Sequence, residues 1–225
     1  MSLLHQSLQY IQDNPERFRT AFLVHIRLSA YALALAIVIF VPMGALTSRS
    51  RRIGPAIVSV VAALRVAPSI AVLFLLFPYR RQIGSLFPFW DRTFTIALIA
   101  LTILAGPPLI INTDAGLRNV AAFLLESARG AGMNERQVFT RVQLPLAAPV
   151  VISGVRTASV EIIASATLAA FVGVGGLGRF ITSGLTLFDF SILLVGAIPV
   201  ALLALLAEAT LAGIERLCTP PALPT

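Results

Sequence analysis

The chain has 225 residues, of which 57% are hydrophobic and only 12% charged, and its mean hydropathy is +0.90. A soluble globular chain carries roughly 25% charged residues, so an ordinary soluble enzyme or binding domain is excluded and most of the chain must meet lipid or protein. The net charge of +7 and pI of 11.2 do not mark a nucleic-acid binder, because the seventeen basic residues are all arginine and lie scattered between apolar blocks, whereas such a binder concentrates them on one face.

Taken in order, residues 3–11 place Leu4, Leu8 and Ile11 at helical spacing and read as a short interfacial helix or simply a frayed terminus. The first twenty residues lack a basic start followed by an apolar core, so no cleaved signal peptide is read there. A bilayer-crossing helix needs roughly 20 mainly apolar residues. Residues 22–47, 55–78, 94–111, 147–172 and 190–217 meet that requirement and predict five spans. Pro42, Pro68, Gly106-Pro107-Pro108 and Pro199 fall in or near them, as kinks or as bends around a pathway. Small residues Gly154, Ala158, Ser165 and Ala169 would let helices approach closely in the fourth span.

The connections differ in kind. Residues 48–54 form a short loop with three arginines, residues 79–92 carry Tyr79 and Trp90, and residues 173–189 are glycine-rich. Only residues 112–145 are long and polar, with Arg118, Arg129, Arg136 and Arg141 among Asp114, Glu126 and Glu135. The arginine bias between the two sides is too slight to set topology by charge. Cys218 is the single cysteine, so no internal disulfide forms, and His5 and His25 sit in no metal-ligand cluster.

Within the polar connection, residues 123–130 predict a helix ended by Gly130, a residue that tolerates the left-handed conformation. Asn134 caps the next helix with Gln137 as capping-box partner, Val138 and Val142 share a face at i, i+4, and Pro145 ends that helix. The expectation is a helix–turn–helix knob. Its residues Glu126, Ser127, Ala128, Gly132, Val142, Leu144 and Pro145 resemble the Glu-Ala-Ala loop of binding-protein-dependent ABC importer permeases, in which a glycine follows the glutamate by six positions and an aliphatic-x-Leu-Pro segment begins ten later. Ser127 replaces the usual alanine, a small-for-small change.

The resemblance runs from His25 onward and is nearest the glycine betaine/carnitine/choline class, through His25-Ile26-Arg27-Leu28-Ser29, Val41-Pro42-Met43-Gly44, Pro68-Ser69, Thr113-Asp114-Ala115-Gly116-Leu117, Gly154-Val155-Arg156-Thr157, the run 166–173, Gly175-Gly176-Leu177-Gly178 and Thr219-Pro220. Methionine-type permeases share the Gly-Gly-Leu-Gly turn but less of what precedes it. What this resemblance implies is an all-α, polytopic fold of the MetI-like kind, one permease domain over 1–225 with a coupling loop at 112–145. It also implies a cytoplasmic position for that loop, with the N-terminus outside and the C-terminus inside a bacterial cytoplasmic membrane. Implied partners are cytoplasmic ATP-binding subunits carrying ATP and Mg, an extracytoplasmic substrate-binding protein and a second permease, identical or not. The chain itself would bind no cofactor and catalyse no reaction. Without lysine it cannot build the lysine-bearing phosphate loop of an ATPase.

Gly173, Gly175 and Gly178 fit a dinucleotide fingerprint, but an apolar span precedes them and no acidic residue follows at roughly 20 positions. With Gly176 they read instead as a tight re-entrant turn. Arg65, Arg156, Glu161 and Glu208 fall inside expected spans, where a charge faces a partner or a cavity. Arg156 reads as an interface anchor. Arg65 and Glu161, at matching depth, are expected to pair, and with Pro68, Ser69 and Thr167 to border a pathway. No cluster of aromatic residues that could cage a quaternary ammonium is visible along the chain, so capture falls to the external binding protein. An ion-coupled transporter would require an internal repeat with matched carboxylates, and a membrane enzyme convergent Asp, His or Ser groups. Neither pattern is present.

Overall fold

A computed structural model of the chain describes residues 3–50, 53–65, 68–84 and 90–219. Parts of the connections 48–54 and 79–92, residues 66 and 67 of the expected second span, and Pro220 lie outside the described residues. Every regular element among the described residues is helical: α1 (Leu3–Asp13), α2 (Pro15–Arg49), α3 (Ile53–Leu64), α4 (Ser69–Leu76), α5 (Arg80–Gly84), α6 (Arg92–Leu104), α7 (Gly106–Arg118), α8 (Ala122–Gly130), α9 (Glu135–Gln137), α10 (Leu144–Ser165), α11 (Gly178–Leu187) and α12 (Phe190–Cys218). A π-helical segment, Val138–Gln143, leads into α10, and a 3₁₀ segment, Ala166–Val172, extends it.

Among the described residues, four helical stretches are long and apolar enough to cross a membrane: Pro15–Arg49, Arg92–Arg118, Glu135–Val172 and Phe190–Cys218. The expected second span is instead divided into α3 and α4. Two local causes meet there. At Arg65 the backbone tightens, its N–H reaching back only three residues to the Ala62 carbonyl. Pro68 then stands in an extended conformation, φ −60° and ψ 129°, at the start of α4. Pro42 and Pro199, by contrast, lie inside unbroken helices. Pro107 and Pro108 occupy the first turn of α7, where a missing N–H costs nothing. The third span is also longer than the apolar run suggests, because residues 112–118 continue α7 and Thr113, Asp114, Gly116 and Leu117 are buried in it.

The chain divides into two compact units. The first comprises Met1–Leu35, Ala67–Ala105 and Ser159–Ala207. Its core joins Ala21, Leu177, Phe180, Val195 and Val200, with Tyr10 packed edgewise and Phe18 tilted against Phe180. Buried His25 of α2 shares a hydrogen bond between Nε2 and the Ile163 carbonyl of α10, 3.1 Å away. Gly173 ends the 3₁₀ segment in the left-handed conformation, and Gly175 and Gly176 follow with positive φ. Gly178 is required for a different reason: a Cβ there would lie 2.0 Å from the Thr167 carbonyl oxygen. The glycine run is thus a tight turn packed on its own preceding helix, and no strand precedes it.

The second unit comprises Ala36–Val66, Gly106–Ala158 and Glu208–Thr225. Helix α7 forms its buried centre. Glycines mark both contacts: a Cβ on Gly44 of α2 would meet the Thr113 side chain at 2.7 Å, and one on Gly154 of α10 would meet Asn112 at 2.7 Å. Small residues at the crossing points substitute for hydrophobic driving force, which is weak between helices already in lipid. In the apolar 18-residue window of Arg92–Arg118 72% of the residues are buried, against 17% in that of Phe190–Cys218, and the outward faces of α2 and α12 present apolar side chains such as Val38, Leu46, Leu202 and Leu205 in an amount that a monomeric soluble protein does not expose.

Gly178→Ala is expected to lower stability by about 3 kcal/mol, the upper part of the range for overpacking, in thermal unfolding followed by circular dichroism in detergent. Gly130→Ala, at a helical position with nothing within 4 Å, should be neutral or slightly stabilising. Asp91 caps α6, accepting from the N–H groups of Thr93 and Phe94 and from the Thr93 hydroxyl. The Thr93 hydroxyl above all, with the backbone N–H groups and against a small desolvation cost, holds the Asp91 carboxyl below the usual carboxylate range. Asp91→Ala should therefore cost about 1 kcal/mol at neutral pH. That gap should close as pH falls through the depressed pKa, since the stabilisation is complete only above the ordinary carboxylate value.

Candidate functional site

The helical hairpin after α7 is built as the spacing predicts, with two corrections. Helix α8 runs through Gly130, and it is Gly132, φ +84°, that supplies the left-handed residue. The N–H of Gly132 bonds to the Arg129 carbonyl at 2.9 Å and that of Met133 to the Ala128 carbonyl at 3.2 Å, the paired bonds of a Schellman ending. Asn134 then opens α9 with a complete capping box: its side chain accepts from the Gln137 N–H at 3.0 Å, and Gln137 Oε1 accepts from the Asn134 N–H at 2.9 Å. Arg129 spans the turn to Glu135 with two bonds, 2.7 and 3.2 Å.

The second correction concerns Pro145, which does not end the helix. The chain stays helical from Glu135 to Val172 because it passes through the π-helical segment, where the Leu144 N–H bonds to the Phe139 carbonyl, five residues back. A widened turn relieves the clash that an α-turn would impose between the ring of Pro145 and the carbonyl four residues before it. Val138 is buried and Val142 half-buried, while Leu144 and Pro145 are exposed. Helix α8 packs on this π-helical segment through its buried Ala128, leaving Phe123, Glu126 and Ser127 facing outward. The hairpin therefore offers an acid, a hydroxyl and an aromatic ring on one side.

The foot of the hairpin is pinned by arginine. Buried Asp114 accepts from Arg118 Nε at 2.8 Å, and Arg118 Nη2 donates to the carbonyls of Thr47 and Ser50 at 2.6 and 2.9 Å. Those carbonyls close the C-terminal end of α2, where a cation also meets the negative end of the helix dipole. Gly54 leaves the necessary room, since a Cβ there would lie 2.1 Å from Arg118 Nη2. Gln143 donates to the Leu117 carbonyl at 3.1 Å, and the Arg49 guanidinium lies 5.1 Å from the centre of the Phe139 ring. The sequence shows Asp114 and Arg118 as charges of the polar connection, and Asp114 within one block of the resemblance, but not as a pair, for which their i, i+4 spacing was the signal.

Other expected residues are distributed differently. Arg156 does not act as a lone anchor: its guanidinium pairs with Glu208 at 3.1 Å and Glu215 at 2.7 Å, two acids on one face of α12. Ser69 starts α4 and borders a small recess with Leu73, Leu101, Ser165 and Leu168. Thr167 bonds to the Ala164 carbonyl at 2.7 Å inside the 3₁₀ segment, and half-buried Glu161 lies in the same unit. Exposed Pro68 belongs to that unit too, whereas exposed Arg65 belongs to the second. Scattered aromatics missed by the sequence reading converge in the first unit, where Tyr31 stacks on Trp90 and Trp90 meets Phe94 edgewise.

A helical bundle with long apolar segments, glycine-mediated crossings and one rigid polar hairpin on an arginine-pinned foot defines a membrane transport component. The chain belongs to the family of binding-protein-dependent transport system inner membrane components, which matches residues 32–217. It is 37% identical over 214 residues to the carnitine transport permease protein OpuCB of Listeria monocytogenes, covering 95% of this chain and 94% of that one. It is 35% identical to the choline transport system permease protein OpuBB of Bacillus subtilis (strain 168), covering 96% and 95%. The permease chain of the methionine ABC transporter MetNI shares the fold, with a TM-score of 0.79 over 91% of this chain and 97% of that one at 20% identity.

Arg118→Gln leaves the buried Asp114 carboxylate without its cation and takes one donor from each of the Thr47 and Ser50 carbonyls. It is expected to cost about 3 kcal/mol in thermal unfolding. Gly132→Val should cost about 1–2 kcal/mol, with faster hydrogen exchange at the amides of Gly132 and Met133 than at those of α10.

Proposed function

We propose that the chain is the translocating half of an ATP-driven importer for a small quaternary-ammonium osmoprotectant of the glycine betaine, carnitine and choline class. The observation that carries the reading is near-full-length similarity, at 37% and 35% identity, to permeases named for carnitine and choline transport. The likeness to the methionine transporter, at 20% identity, bears on the fold and not on the solute. In this reading residues 1–225 work as one permease domain and catalyse no reaction. With no lysine in the chain, the phosphate loop of an ATPase must sit in a separate cytoplasmic subunit holding ATP and Mg. A second permease, identical or not, completes the pathway, and an extracytoplasmic protein delivers the solute.

The polar hairpin is the handle that the ATPase moves, which in this reading puts the coupling loop, residues 112–145, in the cytoplasm, the N-terminus outside and the C-terminus inside. Support comes from its construction. A double helix end sealed by a Schellman turn, a capping box and the Arg129–Glu135 bridge transmits force without deforming, and coupling of two states requires such a rigid element. Glu126, Ser127, Ala128, Gly132, Val142, Leu144 and Pro145 form that handle. Arg65, Pro68, Ser69, Glu161 and Thr167 border the pathway, with Arg65 and Glu161 as a charge pair.

Uptake of radiolabelled betaine, carnitine, choline and methionine by the reconstituted complex tests the reading: the first three are expected to accumulate with ATP and methionine is not. Glu126→Gln combined with Gly132→Val should reduce accumulation by at least tenfold while the partner ATPase still hydrolyses ATP. Unchanged accumulation would sink the handle. For the charge pair, Arg65→Gln and Glu161→Gln together should lose no more transport than either alone, whereas additive losses reject it.

A further inference from the structure

In the first unit, a cavity of about 550 Å³ is lined by Val24, Arg27 and Tyr31 of α2, by Trp90, Asp91, Thr93 and Phe94 at the start of α6, and by Gly173 and Val174 of the glycine turn. Its volume is that of a small-molecule site. Three aromatic rings line one wall: the Tyr31 and Trp90 centroids are 5.7 Å apart at 24°, and those of Trp90 and Phe94 6.0 Å apart at 60°. Tyr31 and Trp90 are 46% and 40% exposed, so their surfaces are accessible and not consumed in a core. The same cavity holds one carboxylate and one guanidinium. Asp91 is fixed by its cap bonds to Thr93 and Phe94, and Arg27 sits four residues before Tyr31 on the same face of α2. Among the described residues these two opposite charges make no salt bridge with each other or with any third group. They are left apart, as the two ends of a dipolar solute require.

A quaternary ammonium donates no hydrogen bond and is held by ring faces and diffuse negative charge. A carboxylate is held by a guanidinium. We propose that this cavity binds a trimethylammonium zwitterion, with Tyr31, Trp90, Phe94 and Asp91 receiving the cationic end and Arg27 the carboxylate. The inference deepens the proposed function and rests on it for the solute class. It adds a site on the permease itself and a preference for zwitterions such as betaine and carnitine over choline, which has no carboxylate.

Trp90 is the single tryptophan of the chain, so its fluorescence reports on this cavity alone. The full chain in lipid nanodiscs, titrated with glycine betaine, is expected to give a saturable change in emission, with carnitine similar and choline weaker. Tyr31→Leu and Phe94→Leu should each weaken betaine binding by roughly threefold to tenfold. Arg27→Gln should shift the betaine-to-choline preference toward choline by about tenfold. On the unmodified chain, 3,3-dimethylbutanoate, the uncharged-carbon isostere of betaine, and methionine should bind at least tenfold more weakly. A flat emission trace with betaine, or equal affinity for the isostere or for methionine, overturns the site. Uptake by the intact complex separates the two readings. Betaine import with a silent Trp90 removes the site and leaves the function, whereas a responsive Trp90 without import of any quaternary ammonium supports the site and removes the function.

Discussion

A buried carboxylate cannot stand alone, and Asp114 is the constraint around which the second unit is arranged. Its charge requires Arg118 one turn on, at 2.8 Å, and the guanidinium in turn has further N–H groups to satisfy. Those find the carbonyls of Thr47 and Ser50, at the end of α2, where the last carbonyls lack their regular intrahelical donors. One ion pair thus ties the end of α7 to the end of α2, packs against Gly54 in the first turn of α3, and sets the platform from which the polar hairpin leaves. Gln143 adds a hydrogen bond of the same kind from the π-helical segment to α7, and Arg49 of α2 adds a cation–π contact with Phe139. Polar side chains closing helix ends is the general solution for a chain whose surroundings offer few other partners for backbone groups.

The irregular helices mark where this chain departs from uniform rods. A seven-residue 3₁₀ segment at Ala166–Val172 is long for that geometry, and it delivers the chain into the Gly173 turn in a second Schellman arrangement, with the Val174 N–H on the Ala169 carbonyl at 3.2 Å. A third closes α11, where Phe188 takes the left-handed position with φ +54° at a cost that a glycine would avoid. In the hairpin, by contrast, Gly132 fills that position without strain. The contrast separates a turn whose residue suits its geometry from one whose side chain, a phenylalanine held almost fully in the open, is retained despite it.

Much of this was legible in the residues. Long apolar runs translate directly into helices, because a backbone in lipid must satisfy itself. The Asn134–Gln137 box was readable because capping is local chemistry over four residues. Gly178 was readable as a close contact because its neighbours were already glycine-rich. What escaped was non-local or geometric. Arg156 lies more than fifty positions from Glu208, and no periodicity links them. Tyr31 lies on α2 and Phe94 on α6, with Trp90 just before α6, and their alignment depends on packing, so the aromatics look scattered along the chain. The division of α3 from α4 needed the joint action of Arg65 and Pro68. Pro145 was misread because the rule that proline stops a helix assumes an α-turn before it.

That preceding turn has a consequence for anyone drawing the helix from Glu135 to Val172 as a single wheel. A π-turn takes in one surplus residue, and each residue of an α-helix advances the wheel by about 100°. Side chains before Val138 and after Gln143 are therefore out of phase by that angle. A stripe computed through the whole stretch assigns one end or the other to the wrong azimuth, and deleting a single residue between them would swing the hairpin relative to α10 while leaving every amino acid on either side unchanged.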